Sequence, residues 1–243
     1  MKKITLLVAA LAAQLFCNAQ DGRYQLMLSS GLVEPTANFE QVKSSVPNKS
    51  ELFNGNYFRY IQFNSLPTEQ QKSELESKGI KLMLYLPTNT YMAAIKENTS
   101  LQTLSGYNIR GIYSIKAEYK LLKELSEAIK ENNFPGYAVK GNKIGIGITA
   151  YQNISFEAFK QQLLSKGYEI TFEDQLTNWV VTWVNKNDLL NFISQPFICS
   201  AELVDDTPQP DNNVGRTSHR SNAISTSYSG GRKYNGNGVQ VML

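Results

Sequence analysis

Histidine and cysteine are scarce in this chain of 243 residues: there is one His, His219, and there are two Cys, Cys17 and Cys199. A single imidazole argues against a self-contained Ser-His-Asp site with several candidate bases. Two thiols argue against a disulfide scaffold or a CxxC…CxxC zinc site. Charge is sparse as well, at 19% of residues, and no basic block occurs anywhere. Phosphate affinity comes from clustered Lys and Arg, so a nucleic-acid partner is not expected. What the chain does have is 42% hydrophobic residues, enough to bury a real core.

The first 19 residues, MKKITLLVAALAAQLFCNA, follow the three-part pattern of a secretory signal peptide. Lys2 and Lys3 give a positive start, Ile4 to Ala13 an apolar run, and Cys17-Asn18-Ala19 small residues before a cut between Ala19 and Gln20. The run is shorter than the ~20 residues a spanning helix needs. Removing Lys2 and Lys3 from the net charge of +3 leaves about +1. The expectation is a secreted or extracytoplasmic protein with no membrane contact once the leader is gone. A lipid anchor on Cys17 is disfavoured by the bulky Phe16 before it. Without the leader, Cys199 stands alone beside Phe197, Ile198 and Ala201, which reads as a buried, inert thiol.

The chain also repeats itself. Ser77-Lys78-Gly79-Ile80 recurs as Ser165-Lys166-Gly167-Tyr168, an offset of 88 residues. At nearly that offset, Asn56–Phe63 faces Asn142–Thr149, and Thr88-Asn89-Thr90-Tyr91 faces Leu176-Thr177-Asn178-Trp179. Each copy predicts a strand (57–63, 143–150) and then a helix (68–78, 155–166) capped by Thr68 or Ser155 and stopped by Gly79 or Gly167. Two strands (80–86 and 90–95; 168–174 and 178–184), a short helix (98–105, 186–194) and a last strand (109–115, 197–204) follow. That order is the split βαβ, ferredoxin-like pattern. The fold class expected is therefore α+β, with two tandem ferredoxin-like domains at 55–116 and 141–204. They follow an extension at 20–54 and are joined by 117–140, where Glu118–Ile129 predicts one connecting helix.

Beyond Val204 the chain changes character. Residues 205–235 are polar, with Pro208 and Pro210, and read as a linker and processing region. Residues 236–243 then begin a buried strand, Val239-Gln240-Val241-Met242-Leu243, that stops short, so the sequence is expected to be truncated.

His219 to Leu243 resembles the start of the catalytic domain of secreted subtilisin-like serine proteases, where G-x-G-V-x-V-x-V forms the first core strand. Gly236, Gly238, Val239 and Val241 match that lead-in. Upstream, Leu75 to Ile80 and Tyr85 to Tyr91 resemble phrases of the propeptides of such precursors. The resemblance implies a propeptide that acts as intramolecular chaperone and temporary inhibitor of its own downstream catalytic domain. It also implies that any calcium belongs to that missing domain; no cofactor is expected in this chain. The triad phrases H-G-T and G-T-S are absent, so the chain alone is expected to lack peptidase activity. Val204 is the expected anchor of a self-cleaved tail, and Arg216 and Arg220 are candidate cuts for a helper enzyme. The alternative is a free-standing secreted binding or inhibitor protein with two ferredoxin-like modules.

Three further features invite chemical readings. Gly145-Ile146-Gly147 lacks the third glycine of a nucleotide loop and falls within a strand. Glu202, Asp205 and Asp206 suit a solvated linker better than a metal site. Trp179 and Trp183, four apart on a strand, share one face and suit a sheet core or a domain contact.

Overall fold

The computed structural model describes residues 24–205. The protein is mixed α+β with several antiparallel sheets. In chain order the elements are β1 (Leu26–Leu28), β2 (Gly31–Val33), α1 (Phe39–Val42), β3 (Asn56–Phe63), α2 (Glu69–Ser77), β4 (Ile80–Leu86), β5 (Thr90–Lys96) and β6 (Ile109–Ser114). There follow α3 (Lys123–Glu131), β7 (Val139–Lys140), β8 (Lys143–Ala150), α4 (Phe156–Ser165), β9 (Ile170–Asp174), β10 (Trp179–Asn185), α5 (Leu189–Ile193) and β11 (Ile198–Leu203).

Local chemistry accounts for most of these boundaries. The Thr68 side chain accepts from Gln71 N–H at 3.2 Å, and the Gln71 side chain returns a bond to Thr68 N–H at 2.9 Å, a full capping box for α2. Ser155 caps α4 by a single bond, accepting from Ala158 N–H at 3.4 Å. Both helices stop at a glycine with positive φ, +87° at Gly79 and +80° at Gly167, where an L side chain would be strained. Thr88 and Asn89, both at positive φ, turn β4 into β5.

Two stretches expected as helix differ. The short helix at 98–105 is one 3-10 turn, Leu101–Leu104, because the segment needs only to seat Leu101 and Leu104 under the sheet. The connecting helix at 118–129 is broken. A 3-10 turn, Ala117–Lys120, precedes an extended Leu121-Leu122, and α3 starts only at Lys123. The break has a long-range cause: Leu121 bridges to Ala201 in parallel, and Leu122 N–H donates to Ala201 O at 2.8 Å.

The two large sheets are built alike. In the first, the order is β4-β5-β3-β6, and in the second β11-β8-β10-β9 with β7 hairpinned onto β8; every pairing is antiparallel. In the first sheet, Tyr57 and Ile61 of β3 pair with Ile95 and Tyr91 of β5 and bury one face against Leu75 of α2. In the second, Ile144 and Ile148 of β8 pair with Val184 and Val180 of β10 and bury the matching face with Phe159 and Leu163 of α4. This facing sets Asn56–Phe63 against Lys143–Ala150, one residue later than the sequence alignment. Tyr91 accordingly lies on the helix side of its sheet and Trp179 on the side away from the helices. A one-residue slip in a strand exchanges its faces.

The opposite faces of the two sheets meet different fates. In the first sheet it is covered along β3 and β5, while Leu84 at the β4 edge is half exposed. Phe58 stacks on Tyr151 with ring centroids 3.6 Å apart, Tyr60 meets Tyr119, and Met92 Sδ lies 3.8 Å from Cys199 Sγ. Gln62, fully buried, is satisfied by Tyr24 O, Thr90 Oγ1 and Arg110. Segment 24–54 is tied to this sheet, for Asn38 exchanges two hydrogen bonds with the Ile112 backbone and Arg110 donates to Pro35 O. In the second sheet the opposite face remains part exposed. Among the described residues no helix is long and apolar enough to cross a membrane.

Candidate functional site

The part-exposed face of the second sheet is built from alternate residues of four strands. β10 supplies Trp179, Val181 and Trp183, which pair with Thr149, Gly147 and Gly145 of β8. β11 supplies Ser200 and Glu202, and β9 supplies Phe172, opposite Val181. The two indoles need room, and the glycines provide it. A methyl group at Gly145 would stand 2.8 Å from the Trp183 ring, and one at Gly147 would stand 2.6 Å from Trp179 Nε1. Gly145-Ile146-Gly147 is thus a seat for two tryptophans inside a strand and not a phosphate loop.

Polar partners fix the rings. Trp179 Nε1 donates to Glu202 Oε1 at 2.7 Å. Phe172 meets Trp179 edge-on at 5.6 Å, and the Lys140 ammonium sits 3.9 Å above the Trp183 ring. The Thr149 and Ser200 hydroxyls share a 2.6 Å hydrogen bond. Burial holds the Glu202 carboxyl above its usual range; the bond from Trp179 partly offsets this, and Asp205 and Glu124 add to the rise. Phe172 is 58% exposed, so the face presents an aromatic patch flanked by Lys140 and Glu202.

The last strand connects this patch to the expected processing region. Val204 N–H donates to Gly145 O at 3.2 Å, which keeps Val204 in the sheet, and its Cγ1 lies on the patch side beside the Gly145 seat. Ala19, Gln20, Arg216, Arg220 and His219 lie outside the described residues. Of the acidic trio, Glu202 and Asp205 are described and Asp206 is not. Among the described residues no group of three or more His, Cys, Asp or Glu could hold a metal ion.

Cys199 is off the patch. Its part-buried thiol lies beside Met92, and burial pushes it up to about 11, with Lys120 nearby pulling the other way. Sequence reasoning found the tryptophans but not their glycine seats. The available signal was the GIG spacing of small residues in a strand whose partner carries two large aromatic residues on one face.

A family model described as a domain of unknown function (DUF8729) matches residues 27–116, which run from β1 through β6. Comparison with curated proteins and with solved structures gave no match.

Proposed function

We propose that the chain is the propeptide region of a secreted subtilisin-like serine endopeptidase precursor, with two tandem ferredoxin-like units at 55–116 and 141–204. The strand orders support the fold reading. Numbered within each copy, both sheets run 2-3-1-4 or its reverse, the order a βαββαβ chain adopts when its helices share one face.

The observation that carries the functional reading is the pairing of the aromatic face with the exit of the chain. Of two similar sheets, one has most of its second face filled by the rest of the protein, while the other leaves Phe172 exposed and Trp179 and Trp183 part exposed. β11 crosses that same sheet and delivers Val204 to its end. A propeptide needs this combination: a preformed face to dock on its protease, and a strand that continues from it into the substrate cleft as an added β-strand. A docked template also lowers the loop-closure entropy that a parallel α/β domain must overcome early in folding. The partner is the chain's own catalytic domain, and the residues after Val204 are the cleavage region.

The test begins with the reading frame beyond Leu243, which should encode D-x-G, then H-G-T and G-T-S. The whole chain should slow that catalytic domain at sub-micromolar concentration and raise its yield on refolding. Trp179→Ala/Trp183→Ala should weaken inhibition at least tenfold, and the chain alone should leave casein intact. A frame without these phrases, or no effect on either inhibition or refolding, overturns the reading. A stop codon soon after Leu243, together with inhibition of a separate subtilisin-like protease and no gain in its refolding, favours the free-standing inhibitor instead.

A further inference from the structure

A second feature lies away from the aromatic face and owes nothing to the protease reading. A cleft of about 590 Å³ opens between the 3-10 turn Lys49–Glu51, the segment Ile115–Lys120 and the region around α5. That is the size range of small-ligand sites. Its walls carry five cations, Lys49, Arg59, Lys116, Lys120 and Lys166, against one carboxylate, Glu51. The carboxylate is already committed, to Arg59 at 2.8 Å and to Asn48 N–H at 2.8 Å.

Lys120 is the informative residue. Only 4% of it is exposed, and no carboxylate pairs with it among the described residues. Its ammonium donates to Gln195 O at 2.7 Å and Ser194 O at 3.3 Å, the carbonyls that end α5, and both of those residues also line the cleft. An ammonium has three donors, so one remains. A buried charge satisfied only by carbonyl dipoles is costly unless a counter-charge joins it. Burial lowers its affinity for the proton to match, to a pKa of about 8. Phe58, stacked on Tyr151, lines the cleft as well.

We propose that this cleft is an anion-binding site for a small ligand bearing two or more phosphate or carboxylate groups. Lys120 meets the innermost oxyanion, and Lys49, Lys116 and Lys166 hold the outer charge. Arg59 stays with Glu51 and shapes the wall. Such a site would be strongly salt-dependent at its rim and less so at Lys120, where solvent is excluded.

Calorimetric titration of the whole chain with pyrophosphate and with citrate, in low-salt buffer free of other polyanions, tests this. One saturable site for either probe is expected, and the stronger of the two names the headgroup. Lys120→Met should weaken binding at least tenfold and Lys49→Ala/Lys166→Ala three- to tenfold. Lys81→Ala/Lys130→Ala, an equal loss of charge outside the cleft, should change it less than twofold. Circular dichroism checks the fold of each variant; if Lys120→Met does not fold, the rim pair decides. No saturable binding of either probe, or equal losses from the cleft pair and the remote pair, overturns the proposal.

Discussion

Trp183 lies over Gly145 of the neighbouring strand, so close that a methyl group there would come within 2.8 Å of its ring. Trp179 stands in the same relation to Gly147. Strand glycines usually weaken a sheet; here they let two indoles lie against the backbone, and the aromatic patch exists because of them.

Gly147→Ala should therefore displace Trp179 and break its bond to Glu202. The expected cost is about 1–3 kcal/mol of overpacking. Urea unfolding measures it, and a shift of tryptophan emission reports the ring. An unchanged midpoint and spectrum would mean that the ring moves aside freely.

Thr68→Ala and Ser155→Ala should each destabilise by about 1 kcal/mol, since each removes a helix cap. Thr68 should cost more because its box is reciprocal, whereas Ser155 makes a single 3.4 Å bond. Thermal melts of the two variants decide the order.

Cys199 should resist alkylation in the folded protein. Burial raises its thiol to about 11, so at pH 8 the thiolate is scarce as well as part-buried. Iodoacetamide labelling followed by mass spectrometry should be at least a hundredfold slower in native buffer than in urea. Equal rates would contradict the packing of Cys199 on Met92.

Lys120 gives a pH signature. Its folded pKa, about 8, lies below the ordinary 10.5 because burial penalises the charge. Between those values the unfolded chain holds more protons, so this group's contribution to stability rises with pH there. Below pH 8 the cost is fully present. The unfolding free energy of the wild type minus that of Lys120→Met should therefore climb between pH 8 and 10.5, by on the order of 3 kcal/mol. Cys199, raised by burial to about 11 and coupled to Lys120, titrates in the same range, so both proteins carry Cys199→Ala; Tyr60 and Tyr151, both raised by burial, titrate in either protein and cancel in the difference. A flat difference across that range would show that the ammonium is well solvated.

Short-range signals carried the sequence a long way. Thr68 and Ser155 mark helix starts, Gly79 and Gly167 mark helix stops, and alternation marks β3, β5, β8 and β10, because caps, left-handed stops and period-two burial act within a few residues. The sequence by itself determined these elements and their order. Tertiary structure decided what depends on distant partners. Period-two alternation shows that a strand has two faces but not which face is covered, so the burial of Phe58 and Tyr60 under Tyr151 and Tyr119, and the exposure of Phe172, waited on how the two sheets pack. The break of the connecting helix at Leu121-Leu122 follows from a bond to Ala201, some eighty residues away. Lys120 reads as a surface lysine in any window of sequence. It is buried because the Leu121 bridge to β11 pins the chain just after it and the end of α5 accepts from its own ammonium. Long-range pairing decides these positions because the energy of one backbone bond or one buried ring exceeds the local preference it overrides.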